Sequence, residues 1–127
     1  MILCDTNVFI EAFKKNPSTM ELLRQIGFHN IALSAITLME LYFGALNKNE
    51  LTQIKSRLGS LSVINIDIKI SKAATSLIEK YSKSHGLQIP DALIAATAIS
   101  EQIDLFTYNL KDFRFIEGIK LYYTGIS

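Results

Sequence analysis

This chain has little of what disulfide, zinc and membrane proteins are built from. Its 127 residues include one cysteine and two histidines. A lone Cys4 forms no internal disulfide, and the apolar run MILC does nothing to lower a thiol pKa. Cys4 therefore reads as a small packed hydrophobe in a reducing cytoplasm. His29 and His85 have no second His or Cys at ligand spacing, which argues against zinc. No apolar stretch reaches the roughly 18–20 residues that cross a bilayer, so no membrane association is expected. Met1 leads straight into a strand-like run without a basic n-region or cleavage site, so no signal peptide is expected either. Repeats, low-complexity tracts and linkers are missing, which points to one domain over residues 1–127.

Net charge is also small. Thirteen Lys and Arg oppose twelve Asp and Glu, for a formal charge of +1. That balance is too even for a chain that grips nucleic acid by charge alone. Apolar residues, by contrast, make up 49% of the chain, with a mean hydropathy of +0.24. Two readings follow: elements buried on both faces, as in a parallel sheet covered by helices, or apolar surface kept for a partner or second copy.

The hydrophobic pattern alternates between strand and helix. Residues 2–4, 31–34, 62–66, 105–107 and 119–123 read as strands. Helical segments are expected over Val8–Phe13, over a stretch N-capped by Ser18 and stopped by Gly27, and over Thr37–Leu46, which is apolar nearly all round and reads as buried. Leu51, Ile54 and Leu58 mark another helix. Asp67 is placed to N-cap the next, with Ile70, Ala74, Leu77, Ile78 and Tyr81 on one face and an end near Gly86. Pro90 suits the first turn of the helix ALIAATAI, and NLKDF makes a short turn or helix. Alternation of this kind predicts a parallel sheet with helices on both faces, whose ligands bind beyond the carboxyl ends of the strands.

Three acids sit in apolar company. Asp5 ends the run MILC, Glu40 interrupts ITLMELYFGAL, and Asp91 precedes ALIAATAI. A buried carboxylate without a partner costs roughly 2–7 kcal/mol, so acids in such places need a shared reason. A divalent ion held by all three is the simplest. With those acids taken up, thirteen bases would face nine acids, a surface suited to a polyanion that is cut rather than gripped. Each acid also has a plainer reading: Asp5 as a turn residue, Asp91 as a helix N-terminal acid, Glu40 as a solvated acid. The last fits poorly on an apolar helix face. Asp67 and Asp104 read as a helix cap and a loop acid.

These residues resemble those of the PIN-domain nucleases, most closely the toxins of VapBC-type toxin–antitoxin pairs. MILCDTNVFIE is similar to the family's first motif. LSAITLMELYFGA, with Ser34, Thr37, Glu40 and Gly44, is similar to the second, and GLQIPDALIAATAI, with Asp91, to the third. FTYNLKDFRFIEGIKLY, with Thr107, Asn109, Asp112 and Phe113, is similar to the last. Each motif alone is weak, but four in order along the whole chain are specific. The resemblance implies a three-layer α/β/α PIN-like domain around a central, mostly parallel sheet of four or five strands. It implies Mg²⁺- or Mn²⁺-dependent cleavage of RNA, with Asp5 and Asp91 as the main metal ligands and Glu40 as a ligand or as the group that orients the attacking water. Thr6, Asn7, Thr107 and Asn109 would support the carboxylates. It further implies a cognate antitoxin and a homodimer.

The chain departs from the family at Asn109, where many members carry aspartate. Asp112, three residues on, either supplies a fourth carboxylate through water or is a capping or surface acid. Tyr108, beside the presumed site, is a candidate for stacking on a base. Three other readings compete. A haloacid-dehalogenase-type phosphatase fits Asp5-Thr6-Asn7 loosely but leaves Glu40 unexplained. A phosphoacceptor receiver domain needs an acidic pair that is absent beside Asp5. A PIN fold that binds RNA without cutting it is opposed by the three acids and kept open by the departure at Asn109.

Overall fold

The computed structural model describes residues 1–124. Four short strands form a wholly parallel sheet: β1 (Ile2–Cys4), β2 (Ile31–Ser34), β3 (Ser62–Ile64) and β4 (Asp104–Phe106), in the order β3-β2-β1-β4. The first strand is therefore central. It pairs Leu3 with Ala32 on one side and with Leu105 on the other.

Six helices cover the sheet: α1 (Thr6–Phe13), α2 (Pro17–Ile26), α3 (Ala35–Phe43), α4 (Lys48–Leu58), α5 (Ile68–His85) and α6 (Ile89–Glu101). Alternation along the strands separates two cores. Leu3, Ala32 and Leu105 face α5 and α6, where they meet Ile70, Ala95 and Phe113. Cys4, Leu33 and Phe106 face α1 to α4, where they meet Val8, Leu22, Leu41 and Ile54. The result is a three-layer α/β/α fold, and it accounts for the high apolar fraction through β1, β2 and β4, which are buried on both faces, while the edge strand β3 is more exposed. Small residues of α6, including Ala92, Ala95, Ala96 and Ala98, are all buried, which lets α5 and the sheet approach closely.

Several boundaries differ from expectation. Asn16, not Ser18, caps α2: its Oδ1 accepts from the backbone N–H groups of Ser18 and Thr19 at 3.0 and 3.3 Å, and Pro17 takes the first helical position. The α3 helix ends at Phe43 and is only half-buried; Met39 and Phe43 are 56% and 93% exposed. The strand expected over 119–123 shrinks to one parallel bridge, Leu105 with Leu121. Its start is diverted by a turn at Gly118, which has a positive φ of 90°, and by an Ile119 N–H to Ile116 carbonyl bond. Within this stretch Lys120 and Tyr122 bond Leu105, each at 2.8 Å. Strand three stops at Ile64, and Asp104 opens β4 rather than lying in a loop. Asp67 caps α5 as expected, accepting from Ile70 N–H at 2.8 Å, and Gly86 ends that helix with φ of 70°.

Candidate active site

The carboxyl ends of β1, β2 and β4 open on one edge of the sheet, and there the acids gather. Asp5 follows β1 directly. Its backbone N–H donates to Phe106 of β4 at 2.9 Å, and its side chain turns back to cap α1, accepting from Thr6 N–H at 2.8 Å. The other carboxylate oxygen accepts from Thr107 Oγ1 at 2.8 Å and from Asn7 Nδ2 at 3.3 Å. Asp5 is only 5% exposed. Asp5 is thus more than a turn residue: one oxygen caps α1, while the second is held by residues from both ends of the chain.

Glu40 reaches the same place from the second turn of α3. Thr6 Oγ1 donates to its Oε1 at 2.7 Å and lies 3.2 Å from Thr37 Oγ1. Asp91 stands in the first turn of α6, half-buried. No described residue hydrogen-bonds its carboxylate. Asp112 arrives on a 3₁₀ turn at Leu110–Asp112, whose end is fixed by Asp112 N–H donating to Asn109 carbonyl at 3.0 Å.

Electrostatics tie the four acids together. Burial pushes the Asp5 carboxyl above the usual carboxylate range. The Thr107 and Thr6 hydrogen bonds pull it back, and the charges of Glu40 and Asp112 push it up again. Asp91 is pushed up to about 6, first by burial and then by Asp5, Asp112 and Glu40. The N-terminus of α6 favours an ionised acid by only roughly 0.3–1 kcal/mol, and burial with three like charges outweighs it. Cys4, packed beneath, is pushed up to about 12 by burial and by Asp5, which fits an inert thiol.

Thr6, Asn7 and Thr107 hydrogen-bond the carboxylates of Asp5 and Glu40. Asn109 acts differently: its backbone N–H donates to Thr107 Oγ1 at 3.0 Å, and its exposed side chain bonds no described residue. Asp112 is the fourth acid whose charge reaches Asp5 and Asp91. Thr37 belongs to the second motif but takes no separate site role from its type or spacing, and Thr19 carries no signal in the sequence. Thr19, fully buried, holds the Tyr108 hydroxyl at 2.5 Å, while Asn7 Oδ1 accepts from Tyr108 N–H at 3.2 Å.

Residues 2–117 match the PIN domain. The chain belongs to the PIN-domain family. It is 39% identical over 93 residues to the ribonuclease VapC3 of Methanocaldococcus jannaschii, covering 72% of this chain and 92% of that protein. It is 32% identical to the ribonuclease VapC2 of Rickettsia felis, over 94% of each chain. Among solved structures it is similar to a toxin–antitoxin complex from Klebsiella pneumoniae, with a TM-score of 0.81, 32% identity, and coverage of 97% of this chain and 98% of that one. Membership of this family sets aside the phosphatase and receiver readings. No helix among the described residues is long and apolar enough to cross a membrane.

The donor set bears on the cation expected here. Among the described residues, no three His, Cys, Asp or Glu side chains are grouped closely enough to hold one ion. In chemistry the four acids nonetheless fit a hard divalent cation: they offer only oxygen donors, and their mutual repulsion raises Asp5 and Asp91 in a way that a cation would relieve.

Proposed function

We propose that residues 1–127, as a single PIN domain, form a Mg²⁺- or Mn²⁺-dependent endoribonuclease, the toxin of a toxin–antitoxin pair working in the cytoplasm. One observation carries the reading. Asp5, Glu40, Asp91 and Asp112 come from four separate parts of the chain, yet the charges of Glu40 and Asp112 reach both Asp5 and Asp91, and that of Asp5 reaches Asp91. The VapC relatives, which are named ribonucleases, support it.

Asp5 and Asp91 would hold the ion, with Glu40 as a further ligand or as the group that orients the attacking water. When bound, such an ion lowers the pKa of a water, orients the phosphate and neutralises charge on its oxygens. The chain's own residues do the rest. Thr107 and Asn7 hold one Asp5 oxygen, and Thr6 N–H holds the other, so the carboxylate has a single orientation. Thr6 links that unit to Glu40. Asp112 adds a fourth negative charge beside Asp5 and Asp91.

The partner implied by the similar toxin–antitoxin complex is a cognate antitoxin, whose basic groups would find these carboxylates. Met39, Phe43 and Leu46, at 56%, 93% and 85% exposed, offer apolar surface suited to a second copy, as the homodimer reading requires. Light scattering of the purified protein tests that: a dimer is expected, and Phe43→Lys should give monomers.

The central test is incubation of purified protein with total RNA, in Mg²⁺ or Mn²⁺ and in EDTA, beside Asp5→Asn. Discrete fragments that need both metal and Asp5 are expected. A folded protein that binds RNA in metal and leaves it intact would overturn cleavage in favour of a binding role.

A further inference from the structure

Beyond β4 the chain makes an isolated bridge at Leu121, in parallel register with Leu105. Continuing that register sets Tyr122 beside Phe106 and Tyr123 beside Thr107, at the same carboxyl edge of the sheet that holds Asp5. A recess of about 370 Å³ opens here, walled by Phe106, Thr107, Tyr108, Leu110, Tyr122 and Tyr123. Its volume lies within the roughly 300–1,000 Å³ usual for small-molecule sites.

Its aromatic walls are held differently. The Tyr108 hydroxyl is fixed by Thr19, and its ring meets Phe106 edge-on, 5.3 Å between centroids. Tyr122 is tilted against Phe106 at 5.6 Å. Tyr123, by contrast, is 80% exposed at the rim, and Tyr108 and Leu110 are 42% and 43% exposed. Among the described residues, two rings are thus fixed and the third, Tyr123, meets no other ring. Thr107 belongs to both the recess and the acid cluster, since its hydroxyl holds Asp5. Lys111, Arg114 and Lys120, all exposed, lie on the same stretch of chain.

We propose that this recess takes one unpaired base of single-stranded RNA next to the phosphate at the acid cluster, with Tyr123 as the stacking face. The inference rests on the ribonuclease reading above. An aromatic face accepts any base by stacking, the mode by which single-stranded RNA is held. A splayed base beside Thr107 would place the adjoining backbone towards Asp5, and basic residues on the flanking chain suit its charge.

The test measures binding rather than cleavage. Fluorescein-labelled oligo-rA and oligo-rU, and abasic oligomers of equal length, are titrated in EDTA against Asp5→Asn protein with and without Tyr123→Ala. Tyr123→Ala should weaken binding of the base-bearing oligomers by about 5- to 100-fold, in line with stacking lost on alanine substitution, and leave abasic binding unchanged. Equal affinity of both proteins for oligo-rA and oligo-rU overturns the proposal. So does an equal loss for the abasic oligomers, or a parent that binds them as well as the base-bearing ones. Wild-type cleavage of total RNA is read in parallel. Cleavage with no Tyr123 effect removes the base site alone; a base-dependent Tyr123 effect without cleavage removes the nuclease reading alone.

Discussion

Thr107 Oγ1 donates to Asp5 Oδ2 at 2.8 Å, joining two residues 102 positions apart in sequence. The same hydroxyl accepts from Asn109 N–H at 3.0 Å, so its proton is committed to the carboxylate. Thr107→Val should therefore release Asp5 without removing any acid. Mn²⁺ affinity, followed by calorimetry, is expected to fall about 10- to 100-fold, with Thr107→Ser restoring most of it. An unchanged affinity in the valine variant would show that Asp5 is oriented by other means.

Asp91 should destabilise the metal-free protein at neutral pH. Its folded pKa of about 6 lies above the roughly 3.9 of an unfolded aspartate. A carboxyl raised in this way contributes stability in full below the unfolded value, and that contribution is lost as pH rises through about 6. Asp91→Asn in EDTA at pH 7 is expected to gain roughly 1 kcal/mol, allowing for screening of a half-exposed group. That corresponds to about 3–5 °C in Tm. Near pH 4 the gain should vanish. Thermal melts of both proteins across this range check the sign.

Metal should act in the opposite sense. A cation held as proposed would bind the ionised carboxylates, so its stabilisation would grow with concentration and need Asp5 and Asp91 deprotonated. Mg²⁺ or Mn²⁺ is expected to raise Tm clearly at pH 7.5 and far less at pH 5, with RNA cleavage following the same profile. A metal-induced rise of equal size at both pH values would count against the acids as ligands.

The cap of α2 gives a prediction about stability alone. Asn16→Ala removes the acceptor for Ser18 and Thr19 N–H and should cost about 1 kcal/mol in urea unfolding. Ser18→Ala should be close to neutral, since Ser18 is exposed and uses only its backbone here.

The β-α alternation was legible because strands buried on both faces read as continuous apolar runs, and the acids that end them are conspicuous. Asp5, Glu40 and Asp91 stood out for that reason. The same signal misled at α3: ITLMELYF reads as buried all round, yet Phe43 is almost fully exposed. Apolar composition does not distinguish a core face from a face left uncovered by the chain itself. The α2 cap was misplaced because Asn16 and Ser18 are both good cap residues, and only the Pro17 preference for the first helical position separates them. Thr19 and Tyr108 could not be paired by reading the sequence, since their contact depends on how α2 packs beside β4. The missing fifth strand follows from a local turn at Gly118 that competes with edge pairing.

The centrality of β1 has a consequence for the order of synthesis. The ribosome delivers Asp5 at the start of the domain, but β4, Thr107 and Asp112 only at its far end. Until then β1 has a bare flank, because the strand that fills it does not yet exist. Pairings so distant in sequence form late. A nascent chain therefore carries Asp5 through elongation of the domain without the Thr107 hydroxyl that orients it.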